Sequence, residues 1–209
     1  MHRTGAGLLT FMALILSILA LGACTTVRET SPQRTATEEL LVSTAVDRAI
    51  AQVNLKIPPG TKVFVAAEQL QSSDDGKYAV GEMKDRLLRN GAHLVDDKGK
   101  ADAVVEVRAG ALSLDDKQFL VGIDAFNAPV PFAGQVVTIP QIALYKNRVR
   151  QGVVKIAAFG YSTSDGKLID LTGPQYGYSH QYERTLLFFF TWRSTDLPEE
   201  KNPGLFNID

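Results

Sequence analysis

Two histidines are the first residues whose types could support acid–base or nucleophilic chemistry. His93 lies between Ala92 and Leu94 in a predicted strand, and His180 lies in the polar, aromatic segment 178–182. A Ser/His/Asp triad requires three groups that converge in space, and the chain has no G-x-S-x-G sequence that would place a serine on a sharp turn. We interpret His93 as structural, and we predict no catalytic site and no enzyme.

Paired carboxylates are a second set of groups with chemical potential. Three aspartate pairs are each followed within two residues by lysine: Asp74-Asp75, Asp96-Asp97 and Asp115-Asp116. Such pairs can perform acid–base chemistry or bind a hard cation. Each pair is predicted to lie at a turn, where an aspartate side chain can accept a hydrogen bond from the nearby backbone. We therefore prefer the structural interpretation. The chain also lacks the ligand spacings of zinc and calcium sites. We therefore predict no metal and no cofactor.

The one cysteine of the chain, Cys24, ends an apolar amino-terminal segment. After His2 and Arg3, residues 8–21 are almost wholly apolar. As a helix they would span about 21 Å, less than the ~30 Å hydrocarbon core of a bilayer. This length is typical of a signal peptide. The alternative is an uncleaved amino-terminal helix with an incidental cysteine.

The tetrapeptide Leu21-Gly22-Ala23-Cys24 resembles the lipobox of bacterial lipoproteins. The resemblance implies that a peptidase removes residues 1–23 and that the sulfur of Cys24 carries a diacylglycerol as a membrane anchor. In such lipoproteins aspartate after the cysteine commonly marks the inner membrane. Thr25 therefore favours an outer membrane, facing the periplasm, if the host has one. Residues 24–34 are polar and read as the lipidated cysteine and a short tether.

Composition restricts the partners and the domain count. Without residues 1–23, which contain Arg3 as their one charged side chain, the chain keeps 186 residues with 21 basic and 23 acidic groups. That length suits one domain, 35–209, with its own hydrophobic core. The absence of a basic block argues against nucleic acid. A single cysteine excludes intrachain disulfides, thiolate zinc sites and thiol catalysis in the folded part.

Apolar periodicity predicts two helices. Thr35 and Glu38 have the spacing of a capping box in front of a helix over 36–53. Asp74-Asp75-Gly76 is predicted to be a turn before a second helix over 78–89, which Asn90-Gly91 ends.

Strands are predicted between and after these helices: 62–67, 92–96, 101–112, 142–145, 153–162 and 168–171. The first two should be parallel through a right-handed crossover, with the third added as a hairpin. Residues 113–140 contain three prolines and are predicted as a loop with one embedded strand. Turns are expected at 146–152 and 164–167, and 184–193 reads as a buried strand or a short helix. The fold prediction is one α+β domain, a mixed sheet with two helices on one face and antiparallel hairpins toward the C-terminus.

Seven of the seventeen aromatic residues fall between Tyr176 and Trp192. The preferred interpretation is packing in the core, since 186–190 suits a strand buried on both faces. The alternatives are a surface that docks a partner protein and a contact with the membrane interface. The best surface candidates are those whose ring carries a polar atom: Tyr176, Tyr178, Tyr182 and Trp192.

The lipobox and the segments 34–41, 45–50 and 101–106 together look like an uncharacterised family of bacterial lipoproteins. That resemblance covers nearly the whole mature chain and implies no activity. The order of elements in 61–112 is also similar to the small α/β domain of envelope-assembly lipoproteins such as the curli-secretion type. This second likeness is an analogy of element order.

These observations predict a membrane-anchored envelope lipoprotein that acts, without catalysis, as a structural or assembly component. Its partner would be another envelope protein or a second copy of itself. The alternative is a periplasm-facing ligand-binding module, with the 113–140 loop and the Tyr176–Tyr182 strip over a pocket. A hydrolase is a more distant alternative.

Overall fold

The computed structural model describes residues 34–129 and 136–198, and these described residues belong to one compact unit. The helical elements are α1 (Ala36–Ile50), a 3-10 turn (Glu68–Leu70), α2 (Asp74–Arg89) and a second 3-10 turn (Lys98–Lys100). The strands are β1 (Lys62–Ala66), β2 (His93–Leu94), β3 (Ala103–Ile123), β4 (Phe126–Pro129), β5 (Val136–Ile139), β6 (Ile142–Ser162), β7 (Leu168–Leu186) and β8 (Phe190–Thr195). The predicted α+β class is confirmed.

Helix α1 begins with the predicted capping box. The backbone N–H of Glu38 donates to Thr35 Oγ1 at 3.3 Å, and the Glu38 carboxylate accepts from the Thr35 N–H at 3.0 Å. The two bonds satisfy amides that a helix start would otherwise leave without partners. The apolar stripe that includes Leu41, Ala45 and Ala49 is fully buried. The helix ends at Ile50, slightly earlier than predicted.

Helix α2 begins earlier than predicted, at Asp74, so the proposed turn at 74–76 is wrong. The Ser73 hydroxyl accepts from the Gly76 N–H at 3.1 Å and caps the helix. Acidic side chains in a first turn also favour helix over turn, because they face the positive end of the helix dipole. The predicted stop is confirmed: Gly91 has a φ of 88°, a left-handed conformation that glycine adopts without strain.

The main sheet has the strand order β2-β1-β3-β6-β7-β8. Strands β1 and β2 are parallel, as predicted, but β3 does not form a hairpin with β2. It lies on the other side of β1, also parallel, with Val63 opposite Ala103. The reason is local: β2 is two residues long, and Asp102 exchanges hydrogen bonds with the backbone of Lys62 at the start of β1. The chain therefore crosses the end of β1 instead of turning back.

The C-terminal strands are longer than predicted. Strand β3 continues through 113–123, where a loop was expected, and β6 runs without a break through the expected turn at 146–152. The two strands pair antiparallel along this whole length, with Asp116 opposite Arg150 and Leu120 opposite Lys146. Cross-strand pairs of opposite charge stabilise this pairing, so both strands continue through segments that are rich in polar residues. Strands β4 and β5 form a separate two-stranded hairpin.

The hydrophobic core lies on one face of the main sheet, beneath both helices. Helix α1 approaches β7 so closely that a Cβ on Gly177 would lie 1.8 Å from the Ala45 carbonyl oxygen. On the opposite face, which we call the outer face, none of the described helices packs. The helices among the described residues are too short or too polar to cross a membrane.

Candidate functional site

Four of the antiparallel strands extend beyond the helices. The Leu41 carbonyl oxygen of α1 accepts from Ser179 Oγ of β7 at 2.6 Å, at the level where Gly152 of β6 lies opposite Ser179. Strand β6 continues from Gly152 to Ile142, ten residues further, which is about 33 Å of strand. We call the parts of β3, β6, β7 and β8 beyond this level the distal sheet.

The four aromatic residues proposed as a surface lie on the outer face of β7 and β8. Val149, Val153 and Lys155 of β6 lie directly opposite Tyr182, Tyr178 and Tyr176, and β7 pairs with β8 so that Arg184 lies opposite Trp192. Directly opposed residues on neighbouring strands point to the same side of a sheet. Because side chains alternate along a strand, all four rings therefore share one face.

These rings are not core residues. Tyr178 is 42% exposed and Trp192 is 46% exposed, Tyr176 is exposed to a similar degree, and Tyr182 is half-buried. The preferred core interpretation of the aromatic segment is therefore wrong, and the surface alternative describes their position. The reason is that both helices pack on the other face of the sheet, which leaves this face uncovered.

Neighbouring rings of this strip stack on each other, and cations lie close to them. The Tyr176 and Tyr178 rings stack with their centroids 6.4 Å apart, and the His180 and Tyr182 rings stack at 6.1 Å. Lys155 Nζ lies 5.6 Å from the centre of the Tyr176 ring. Similarly, the Arg184 guanidinium lies 5.5 Å from the centre of the Tyr182 ring. Aromatic rings interleaved with cations on a flat surface have the composition of protein-docking sites.

The phenylalanine run at the end of β7 is also exposed. Phe188 is 62% exposed, and Phe189 and Phe190 are exposed to nearly the same degree. The segment 184–193 is therefore neither one buried strand nor a helix: it contains the end of β7, a turn at 187–189 and β8. At the turn, Leu187 and Phe188 have φ angles of 49° and 55°, which non-glycine residues adopt only with strain.

The histidines do not form a catalytic constellation with the neighbouring serine. Ser179 points into the core and is fully buried, whereas His180 points to the outer face, as successive residues of a strand must. His180 Nδ1 lies 3.4 Å from Asp196 Oδ2. His93 is exposed on the short strand β2. The serine and histidine of a triad are thus on opposite sides of the sheet.

Two of the three acidic pairs have structural positions at helical starts, in the first turn of α2 and at the cap of the second 3-10 turn. The third pair was predicted at a turn, but Asp115 and Asp116 lie within β3. The hydrogen bond from Arg148 lowers the pKa of the Asp116 carboxyl, although burial opposes this, and Arg150 lies 3.8 Å away. Within 34–129 and 136–198 no cluster of three or more His, Cys, Asp or Glu side chains could hold a metal ion.

A shallow cleft of about 240 Å³ between the two helices was not anticipated. It is lined by Asp47, Ile50, Ala51, Glu82, Asp85, Arg86 and Arg89. Burial and the nearby Asp47 carboxylate raise the pKa of Glu82. The Tyr78 hydroxyl donates to Asp47 Oδ1 at 2.8 Å, and Arg86 Nε donates to the Val53 carbonyl oxygen. These bonds join α2 to α1 and to the segment that follows it, so Asp47 and Arg86 of the cleft have a structural explanation.

A second feature that sequence reasoning missed is the apolar end of the distal sheet. Residues 113–140 are predicted as a loop with one embedded strand and 142–145 as a strand, yet Asp124 is the one charged residue in 119–145. This near-absence of charge over 27 residues is the sequence feature that could have indicated an apolar end of the sheet. Val136 is 64% exposed there, and Phe119 and Phe126 are exposed as well.

The predicted lipidation site, Cys24, and the lipobox residues Leu21, Gly22 and Ala23 lie outside the described residues, as does Thr25. Their roles stay predictions.

Comparison with known proteins identifies one family. A family model described as a family of unknown function (DUF6655) matches residues 18–178, which is 161 of the 209 residues of the chain. A search of curated proteins finds no match.

Proposed function

This chain belongs to the family of unknown function DUF6655, and we propose that it is a non-enzymatic lipoprotein of the bacterial envelope. In this proposal, lipid on Cys24 holds it at a membrane, on the periplasmic side of the outer membrane where the host has one. The folded domain docks an envelope protein as a structural or assembly component.

The observation that carries the docking role is the exposed aromatic strip on the outer face. Tyr176, Tyr178, Tyr182 and Trp192 form one surface that no described helix covers. Tyrosine and tryptophan are enriched where proteins bind each other, since each ring offers large apolar area and a polar group. Stacked neighbours lose little conformational freedom on binding, because the rings are already ordered.

The ligand-binding alternative receives less support from the fold. It required a 113–140 loop that covers a pocket together with the Tyr176–Tyr182 strip, but the described part of this segment extends as strands β3, β4 and β5. The described helix–helix cleft lies under the other face of the sheet and contains none of the tyrosines.

Site-specific photo-cross-linking in intact cells tests the docking surface. A photoreactive amino acid placed at Tyr178 should give one recurrent cross-linked product, either with an envelope protein or with a second copy, which mass spectrometry would identify. The matched control places the same amino acid at Leu88 on α2, whose side chain is similarly exposed. Unlinked monomer from both positions would refute docking through this face.

The anchor is tested separately by Cys24→Ser. We expect the variant to accumulate as an uncleaved precursor or as a soluble protein, because a single polar side chain replaces the lipid attachment point. A cleaved variant that stays in the membrane fraction like the native chain would show that lipid on Cys24 is not what holds it there.

A further inference from the structure

The end of the distal sheet carries one charged residue, Asp124, and exposes apolar side chains on both of its faces. We call residues 119–126, 136–145 and 186–190 the apolar tip. On the outer face Val121 lies opposite Tyr145, and Tyr145 lies opposite Leu186. On the other face Leu144 is exposed as well, and the Phe188–Phe190 rings cover the end of the β7–β8 hairpin. A flat protein surface would cover one of these sides and leave the other in water.

We propose that the apolar tip inserts into the interface of a lipid bilayer. This inference deepens the proposed function, since both place the chain at a membrane, and it adds the apolar tip as the part that meets the bilayer. Tyr182 and Trp192 belong to the docking strip and lie directly behind the tip. A bilayer surrounds an inserted element, so it covers both faces and the end at once. Large exposed apolar patches rarely persist on soluble surfaces without such a role.

The residues directly behind the tip have the composition of a membrane-interface belt. Trp192 and Tyr182 lie on the outer face, and Lys146 and Arg184 lie one and two residues behind the tip on their strands. Aromatic rings with a polar atom prefer the level of the lipid headgroups, and long cationic side chains reach toward them. In 115–118, 142–151 and 180–195 there are six basic and three acidic residues. This excess of positive charge is complementary to anionic lipids.

The direction of α1 places the tether at the correct end of the domain. Leu41 contacts Ser179, and Gln52, two residues after the end of α1, donates to the Tyr176 carbonyl oxygen, so α1 runs away from the tip. Its first turn, at Thr35, therefore faces the tip. From Thr35 to Leu41 is about 9 Å of helix, and the strand from Gly152 to Ile142 is about 33 Å. The tip thus extends about 24 Å beyond the helix start by these two lengths.

The chain between Cys24 and the domain is long enough for both to meet one bilayer. The ten residues from Thr25 to Arg34 span at most about 36 Å when fully extended. That reach exceeds the distance by which the tip projects, so lipid on Cys24 and the apolar tip can lie in the same membrane leaflet.

The strained turn at the tip agrees with this role. Leu187 and Phe188 have left-handed backbone conformations that asparagine and glycine would adopt more easily. Large apolar residues at such positions destabilise the isolated hairpin, whereas their insertion among acyl chains would offset that loss.

The test uses Trp192, the only tryptophan of the chain. The full-length protein, purified from membranes, is reconstituted into phosphatidylethanolamine and phosphatidylglycerol vesicles. Half of the preparations contain lipids brominated in the upper acyl chain, which quench tryptophan on contact. We expect bromination to lower Trp192 emission to about half or less, since the ring would lie near the interface.

A tip variant and a matched control decide the interpretation. Phe188→Ser with Phe189→Ser should reduce this quenching at least about two-fold. Leu168→Ser with Leu171→Ser should leave it unchanged, because these leucines are 56% and 57% exposed but lie at the other end of β7. Thermal unfolding of both variants should match the native chain, since all four side chains are exposed.

Absence of quenching in the native chain, or equal quenching in the tip variant, would overturn the proposal. A second result would identify another occupant. If Trp192 emission of the native chain is not quenched, and cross-linking gives a dimer that the tip variant loses but the leucine control variant keeps, the tip binds a second copy of the chain. Neither result would affect photo-cross-linking from Tyr178, so failure of the tip proposal is distinguishable from failure of the docking function.

Discussion

The Arg48 side chain of α1 hydrogen-bonds to both the side chain and the backbone of Asp196, the residue that follows β8. Arg48 Nη1 lies 2.7 Å from Asp196 Oδ2, and Nη2 donates to the Asp196 carbonyl oxygen at 2.8 Å. Asp196 Oδ1 accepts in turn from the His180 N–H at 2.7 Å. The edge strand of the distal sheet is therefore fastened to the helical layer at its end nearest the core.

This contact predicts a pH-dependent contribution to stability. Burial opposes ionisation of Asp196, but hydrogen bonds from the His180 backbone and from Arg48 outweigh it and lower the pKa of this carboxyl. A carboxyl with a lowered folded-state pKa stabilises the fold above its unfolded value, about 3.9, and loses this effect as the pH falls through the folded value. Asp196→Asn should therefore destabilise at pH 7 and have little effect well below pH ~4.

Urea denaturation of the native chain and Asp196→Asn at both pH values measures the difference. Because both side chains are more than a third exposed, solvent screening limits the loss at pH 7 to about 1 kcal/mol. A double-mutant cycle with Arg48→Gln isolates the pair. An equal loss at both pH values would mean that the effect does not come from ionised Asp196.

The close approach of α1 to β7 predicts a large effect at a single glycine. Gly177→Ala would place a methyl group 1.8 Å from the Ala45 carbonyl oxygen, so either the helix or the strand must move. We expect a loss of about 1–3 kcal/mol or more in the free energy of unfolding. Gly173→Ala, on the same strand, has no atom within 4 Å of the new methyl group and should change stability by about 0.5 kcal/mol or less. Similar values for the two variants would contradict the packing described.

Ser179 is predicted to be important for stability and not for catalysis. Its hydroxyl is fully buried and donates to the Leu41 carbonyl oxygen at 2.6 Å. Ser179→Ala leaves that oxygen without this donor and should cost about 1–3 kcal/mol. The control is Ser194→Ala on exposed β8, where about 0.5 kcal/mol or less is expected. Thermal unfolding compares the two, and an unchanged midpoint for Ser179→Ala would refute the assignment.

The turn at the apolar tip should be open to stabilisation. Leu187→Asn with Phe188→Gly introduces residues that adopt positive φ with little strain, and we expect a gain of about 1 kcal/mol or more. Denaturation in detergent-free buffer measures it. Phe189→Gly is the control, since Phe189 does not have a positive φ and glycine there should give no gain. A destabilised double variant would show that the native turn is not strained.

Much of the fold could be predicted from local patterns. The Thr35–Glu38 capping box, the apolar stripe of α1 and the Gly91 stop act over one or two helical turns, so their residue types are sufficient to predict them. The parallel pairing of β1 and β2 follows from the helix between them, because a helical crossover lets the chain re-enter the sheet in the same direction. Strand lengths were less predictable: residues 113–123 and 146–152 have no strong apolar alternation, and they form strands because each supplies the hydrogen-bonding partner of the other.

The candidate sites divide in the same way. From its sequence alone the chain is predicted to have one α+β domain, a lipobox at Cys24 and an unusual concentration of aromatic residues between Tyr176 and Trp192. Only the tertiary structure decided that these aromatics are exposed, and that residues 119–126 and 136–145 join them at an apolar tip. Alternation along a strand determines which side chains share a face, but burial of that face depends on whether another layer packs against it. Here both helices cover one face, and the other face carries the tyrosines and Trp192.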